Sequence, residues 1–311
     1  MSDLRSAVIG IGATGAVVAA ALLRADPQTM IVVRSPARRL ELEQNGIRIT
    51  GQLTFEVPVK NVLDSVARMA TNPPDVIFIC TKTFHLHSVL DSLKPLVRPQ
   101  TKIVSAHNGL GTEDLIAETF GPETALRMSL NFGAALKGAA ESDVTFFNRP
   151  NFLGALLPDK RALGERLAAQ LSSGGLDTDF VEDIKLHVWK KMVMKCTMAS
   201  ICAVTDKTIK EALEFPPTRE IADACFREVI AVAKAKGYDL GPDYLTQIMG
   251  YLEKVGLHKD SMCVDIANKT QTEIDFLGGK VVEYGKQTGV PTPCYATMAN
   301  LVRTIEHDYL R

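Results

Sequence analysis

Three glycines set the first chemical possibility. Gly10-x-Gly12-x-x-Gly15 follows the short apolar run Ala7-Val8-Ile9 and opens the small-residue stretch Ala16 to Leu23. Between a strand and a helix, one glycine permits the tight turn, one lets the backbone approach a pyrophosphate, and one lets the helix pack closely. The helix N-terminus adds N–H groups and a partial positive charge. The plain alternative is a merely structural turn. At the end of the second apolar run stands Arg34, followed by Ser35 and by Arg38 and Arg39. An acidic residue there would suit the ribose hydroxyls of NAD, whereas a planar guanidinium suits a 2′-phosphate. The expected cofactor is NADP, with Arg34 as its 2′-phosphate ligand; the plain alternative is that Arg38 and Arg39 simply sit on the solvated face of the next helix.

Four polar signals stand out against apolar surroundings. They are Thr81-Lys82, His107-Asn108-Gly109-Leu110-Gly111, Lys191 in Trp189-Lys190-Lys191-Met192, and Glu273 in Thr272-Glu273-Ile274-Asp275. The first two follow the third and fourth apolar runs, at the rim where open α/β sheets bind ligands. Each has a bland counterpart: a solvated loop lysine, one of several surface lysines, an exposed helical carboxylate.

The elements that must position these groups follow from the hydrophobic pattern. Ala7 to Ile9, Met30 to Val33, Val76 to Cys80 and Lys102 to Ser105 are continuous runs that suit strands buried on both faces. Ala37 to Asn45 and His85 to Leu96 read as helices between them, and Ile47 to Val57 as a hairpin or edge strands. After about residue 180 the pattern turns helical. Asp183 to Val204, Thr218 to Lys236, Met262 to Gly278 and Cys294 to Leu310 are the expected helices, with Gly237 as a stop. The expected fold class is α/β. A doubly wound parallel sheet spans residues 1–180, a helical domain spans 181–311, and a cleft lies between them.

Composition narrows the function classes. The chain has 311 residues, 35 basic and 36 acidic side chains, and a net charge of -1, so no basic field invites nucleic acid or anionic lipid. The apolar runs fall far short of the ~20 residues that span a bilayer. The six cysteines are scattered without a CxxC, which suits neither a zinc site nor a disulfide framework and agrees with a reducing compartment. A cytoplasmic enzyme without a metal is expected.

As an ordered set these segments resemble the ketopantoate reductase (2-dehydropantoate 2-reductase) family over nearly the whole chain. The set comprises the glycine motif, Arg34, Thr81-Lys82, His107-Asn108-Gly109-x-Gly111, Trp189-x-Lys191, Ser261-Met262-x-x-Asp265, Thr272-Glu273-Ile274-Asp275 and Gly289-Val290-Pro291-Thr292-Pro293. The resemblance implies an N-terminal Rossmann domain and an all-helical C-terminal domain like that of 6-phosphogluconate dehydrogenase, with the active site between them. It implies reduction of a 2-oxo acid to a 2-hydroxy acid with NADPH, and dimerisation through the helical half. It makes Lys191 the general acid toward the ketone oxygen, and Glu273 the carboxylate that binds the substrate hydroxyl and orients the lysine. Ser261 becomes the substrate-carboxylate ligand. Asn108 positions substrate and nicotinamide ribose, and Lys82 stands beside the cofactor.

The chain departs from the family pattern at several substrate-side amides. Two asparagines on the lysine helix are replaced by Lys195 and Ala199, a third by His258, and the usual Leu-Asn-Gly reads Leu277-Gly278-Gly279. His187, Lys191, Lys195 and Ala199 form a stripe at four-residue spacing. An inward Lys195 would lower the pKa of Lys191 and suit a substrate with a second carboxylate; an outward one would be solvated. Two further classes remain beside the reductase: a catalytically silent NADP-binding sensor, and a reductive aminase that would need a second, amine substrate.

Overall fold

The computed structural model describes residues 4–255, 257 and 259–310. They form two compact units. One comprises the chain up to His107 together with Thr112–Ile184, and the other comprises Asn108–Gly111 with Lys185–Arg311.

In the first unit, β1 (Ser6–Ile9), β2 (Met30–Val32), β6 (Val76–Ile79) and β7 (Lys102–Ser105) are buried at every position. They join β5 (Val62–Leu63), β8 (Ala125–Ser129), β11 (Asn151–Ala155) and β12 (Thr178–Phe180) in an eight-stranded sheet of order β12-β11-β8-β7-β6-β1-β2-β5. All pairings are parallel except β8 with β11. The strand order reverses at β1, which pairs with β2 on one side and β6 on the other. That switch point leaves a crevice beyond the carboxyl ends of β1 and β6.

Alternate residues of each strand feed two cores. Val8, Phe78, Val104 and Leu126 pack with α1 (Ala13–Ala25) and α5 (Arg161–Ser173), while Ile9, Ile77, Ile79 and Ile103 pack with α3 (Leu86–Leu93) and α4 (Thr112–Phe120). Because both faces are covered, the strands read as unbroken apolar runs rather than as alternation. α2 (Pro36–Asn45) starts on proline behind Ser35, whose side chain accepts from Arg38 N, and stops at Gly46 with φ +69°.

The segment Ile47 to Val57 forms the expected hairpin, but in a second sheet. β3 (Ile47–Gly51) pairs antiparallel with β4 (Phe55–Val57) and parallel with β10 (Glu141–Phe147), which pairs antiparallel with β9 (Phe132–Leu136). α1 packs against both sheets, which explains why every residue from Gly15 to Leu23 is buried.

The second unit is helical: α6 (Ile184–Thr205), α7 (Ile209–Glu214), α8 (Pro216–Ala235), α9 (Tyr244–Val255), α10 (Ser261–Ala267), α11 (Gly278–Thr288) and α12 (Pro293–His307). One expected helix is corrected. Met262 to Gly278 is not continuous: α10 ends at Ala267, Lys269 adopts φ +54°, and a short 3₁₀ turn at Ile274–Phe276 precedes α11. The polar run Asn268 to Thr272 competes for its own backbone. The Thr272 hydroxyl accepts from Ile274 N, and Thr272 N donates to the Glu306 carboxylate. Among the described residues no helix is long and apolar enough to cross a membrane.

Candidate functional site

The three motif glycines stand in different surroundings. Gly10 has φ +95°, and a Cβ there would lie 2.8 Å from Thr81 N. A Cβ on Gly15 would fall 2.1 Å from the Gly10 carbonyl oxygen, so that glycine seals the helix against the turn. A Cβ on Gly12 would meet nothing within 4 Å. Gly12 is the N-cap of α1 and supplies no side-chain cap, so its own side chain satisfies none of the first N–H groups of the helix. A glycine cradle at the amino end of a helix fits the pyrophosphate of a dinucleotide.

The arginines after β2 separate into distinct roles. Arg34 is exposed, with Nη2 3.2 Å from His85 Nε2. Burial, and then the Arg34 guanidinium, hold the His85 imidazole below the usual histidine range, so it accepts from that cation. Arg38 does not sit on the solvated face: it folds back over the glycine turn and donates to the Ile11 carbonyl. Arg39 pairs with Glu43 at 2.8 Å and Asp64 at 3.3 Å. Arg34 therefore presents its guanidinium at the rim, where a 2′-phosphate could meet it. Lys82 stands directly beyond β6, half-buried, as the cap of the 3₁₀ turn Thr83–His85.

At the end of β7 a buried polar network anchors the next loop. Arg127, 1% exposed, donates to Ser105 Oγ and to the His107 carbonyl, each at 2.7 Å, and also to the Thr112 hydroxyl. Its Nε lies 3.6 Å from Glu113 Oε2. Burial, and secondarily Arg127, push the His107 imidazole down to about 3. His107 is thus a neutral structural group at physiological pH. Its Nδ1 is 2.9 Å from Ser105 Oγ.

In the second unit, Asn108 and Lys191 are brought together: Lys191 Nζ donates to Asn108 Oδ1 at 2.6 Å. The loop carrying Asn108 is tied to the turn that follows Glu273, since Leu110 N donates to the Phe276 carbonyl at 2.8 Å and Phe276 N to the Glu273 carbonyl at 3.0 Å. Glu273 is half-buried at the cap of that turn, not inside a helix. Gly111, with φ +74°, allows the loop to close on α11, where a Cβ would lie 2.5 Å from the Tyr284 hydroxyl.

One helical turn beyond Lys191, Lys195 is neither solvated nor an unpaired charge. Its ammonium lies 2.8 and 2.6 Å from the two Asp260 carboxylate oxygens and 2.8 Å from Ser261 Oγ. The pair is largely enclosed, with side chains 15% and 8% exposed. Asp260 also caps α10, accepting from Met262 N at 2.9 Å. Ala199 is fully buried, and His258 lies outside the described residues.

Several of these partners escape a reading by motif. The sequence Asp260-Ser261-Met262 carries an N-cap signal that places Asp260 before a helix, but nothing local ties it to a lysine 65 residues away. Arg127 interrupts an otherwise apolar strand, the one sequence hint of a buried charge. His85 and the folded-back Arg38 carry no such hint.

Together the second unit offers an ammonium aimed by a neutral amide, a half-buried carboxylate, and a hydroxyl held by a second ammonium. These groups can donate a proton, bind a hydroxyl and bind an anion.

Comparison with known proteins identifies the family. Residues 6–156 match the family model described as "Ketopantoate reductase PanE/ApbA", and residues 183–306 match "Ketopantoate reductase PanE/ApbA C terminal". A 2-dehydropantoate 2-reductase of Streptococcus pyogenes serotype M1 is 28% identical over 270 residues, 85% of this chain and 86% of the relative. The crystal structure of 2-dehydropantoate 2-reductase from Geobacter metallireducens superposes with a TM-score of 0.88 at 25% identity, covering 97% of this chain and 99% of that one. D-mandelate dehydrogenase, solved with NADH and anilino(oxo)acetate, shares the fold with a TM-score of 0.86 at 22% identity, covering 98% and 99% of the two chains. With a Rossmann-like N-terminal domain, a helical C-terminal domain and both family models matched in order, this chain belongs to the ketopantoate reductase family.

Proposed function

We propose that the protein reduces a 2-oxo monocarboxylic acid to the 2-hydroxy acid with NADPH, and that 2-dehydropantoate is the first substrate to test. The observation that carries this reading is the 2.6 Å contact between Lys191 Nζ and Asn108 Oδ1. When bound, the reduced nicotinamide supplies the hydride. Lys191 donates its proton to the ketone oxygen as negative charge grows there. Asn108 accepts from the ammonium and holds its direction. An amide oxygen is too weak a base to remove the proton, so the lysine is aimed yet stays charged. Glu273 binds the substrate hydroxyl and helps orient the lysine, and Ser261 binds the substrate carboxylate. Gly10, Gly12 and Gly15 shape the pyrophosphate cradle, Lys82 stands beside it, and Arg34 meets the 2′-phosphate.

The names of the relatives support the reaction class. The NADH carried by D-mandelate dehydrogenase is that enzyme's own; the exposed Arg34 favours NADPH here. Replacement of the family's amides by Lys195 and Ala199 favours a second reading, in which the same frame reduces a different 2-oxo acid. A dicarboxylic substrate gains no support from Lys195, because both Asp260 oxygens already lie on its ammonium.

The test is NADPH oxidation with 2-dehydropantoate beside a panel of mono- and dicarboxylic 2-oxo acids, repeated with NADH. Turnover of 2-dehydropantoate at low KM supports the primary reading. Good turnover of another acid alone selects the second. Binding of NADPH without reduction of any acid leaves a silent sensor instead.

A further inference from the structure

The lysine that replaces a family amide on α6 has an unusual hydrogen-bond count. A lysine ammonium has three protons and no lone pair. The three acceptors around Lys195 Nζ, the two Asp260 oxygens and Ser261 Oγ, lie at 2.6 to 2.8 Å and account for all three. No proton remains for a substrate. The charge is also balanced on the spot, in a pair whose side chains are 15% and 8% exposed. Ser261 itself is exposed.

The consequence falls on the Ser261 hydroxyl. A hydroxyl has one proton and two lone pairs, and its proton rotates to suit its neighbours. Here the oxygen accepts from Lys195, so the hydroxyl proton is directed away from that ammonium. The backbone of Ser261 is fixed as well, because Asp260 caps α10 while it grips Lys195.

We propose that Lys195 and Asp260 form a positioning pair that makes Ser261 a committed donor to a single substrate carboxylate, without Lys195 touching the substrate. This rests on the reading of Ser261 as the carboxylate ligand given above. The pair would replace the neutral amide contacts of other family members by an ion pair of zero net charge. It selects for one carboxylate because it leaves no cation to receive a second.

Removing Lys195 alone would strand the Asp260 charge, and an anion would then be repelled for a trivial reason. The test therefore removes both charges together. Lys195→Met with Asp260→Asn keeps the net charge and an oxygen to cap Met262 N, but deletes donation to Ser261. Oxamate, an unreactive mimic of a 2-oxo acid, is titrated calorimetrically into the NADPH-saturated protein, so that the reading does not depend on turnover. We expect the paired variant to bind oxamate about tenfold more weakly, a loss of about 1.4 kcal/mol, with NADPH affinity unchanged. Ser261→Ala should lose about as much, and the triple variant should be no weaker than Ser261→Ala. Lys195→Gln with Asp260→Asn, which keeps the net charge and an N–H for the hydroxyl, should bind oxamate within about threefold of wild type and covers the case in which the Met–Asn variant does not fold. Full oxamate affinity in the paired variant overturns the proposal, and so does additivity in the triple variant, which would mean direct contact or a general loosening of the helices. Failure of the wild type to bind oxamate also overturns it. A wild type that binds oxamate, shows this coupling and yet reduces no 2-oxo acid sinks the proposed function and upholds the positioning pair.

Discussion

Lys191 Nζ meets Asn108 Oδ1 at 2.6 Å across a sequence separation of 83 residues. One turn along the same helix, Lys195 meets a carboxylate instead. The two lysines share a helix and a residue type: an amide directs the Lys191 ammonium, and an anion neutralises that of Lys195. Under the proposed function the working proton belongs to Lys191, and Lys195 has a static role.

Lys191→Met should therefore lower kcat by about 10²- to 10⁴-fold, the usual loss for a general acid, while leaving the dissociation constant for NADPH unchanged. Lys195→Gln combined with Asp260→Asn should keep kcat near wild type. Steady-state kinetics beside fluorescence titration of NADPH separate these outcomes. Equal loss of kcat in the two variants would contradict the assignment.

The motif glycines give a paired prediction. Gly12→Ala meets no steric obstacle in the protein itself, so its melting temperature should stay within a degree or two of wild type, roughly the range of a neutral surface change. Its NADPH affinity should fall, because the new methyl occupies the approach to the helix N-terminus. Gly15→Ala drives a methyl to 2.1 Å from the Gly10 carbonyl oxygen and should lower stability outright. Calorimetry with and without NADPH distinguishes a lost ligand site from a lost fold.

Arg34→Ala should weaken NADPH binding by about 10- to 100-fold, the range of roughly 1.5–3 kcal/mol for a hydrogen bond to a charged group. NADH, which lacks the 2′-phosphate, should bind as before. Comparable losses for both cofactors would place Arg34 elsewhere than at the phosphate.

His107 gives a prediction in pH. Its imidazole is pushed down to about 3 by burial and by Arg127, whereas an unfolded histidine titrates near 6.5. Below that value the unfolded chain takes up a proton that the folded state refuses, so stability is lost as pH falls from about 6.5 toward about 3 and is fully kept above. The slope approaches about 1.4 kcal/mol per pH unit. His107→Asn keeps an acceptor for the Ser105 hydroxyl and removes the titration. Denaturant unfolding at neutral and mildly acidic pH should show a shallower acid loss in the variant, and parallel curves would refute the account.

The particular elements explain what the sequence could reveal. β1, β2, β6 and β7 were legible because both faces are buried and their runs are unbroken. α6 was legible because Ile184, Val188, Met192 and Cys196 hold one buried stripe over its length. β8 was hidden because Arg127 stands in its middle, fully buried, and a charge at that position argues locally against a core strand. The hairpin of β3 and β4 was visible, but not its partner β10, since a parallel pairing across some ninety residues has no local signature. The break before Glu273 depends on Glu306 holding Thr272 N, a partner 34 residues away. Among site residues, the glycines and Arg34 follow from local spacing. The meetings of Lys191 with Asn108 and of Lys195 with Asp260 are tertiary facts.

The loop Asn108–Gly111 lies in the chain inside the first unit yet folds with the second. No single cut of the polypeptide can therefore separate the two. A fragment beginning at Lys185 would carry Lys191 and Glu273 without Asn108, and would leave the Phe276 carbonyl without Leu110 N. Four residues on loan from the first half bind the halves into one heritable unit: a helical domain passed to another nucleotide-binding domain by recombination would arrive without the amide that aims its lysine. Exchange between such proteins is constrained to whole chains, or to partners that already carry the same Asn-Gly-x-Gly loop at the end of their fourth central strand.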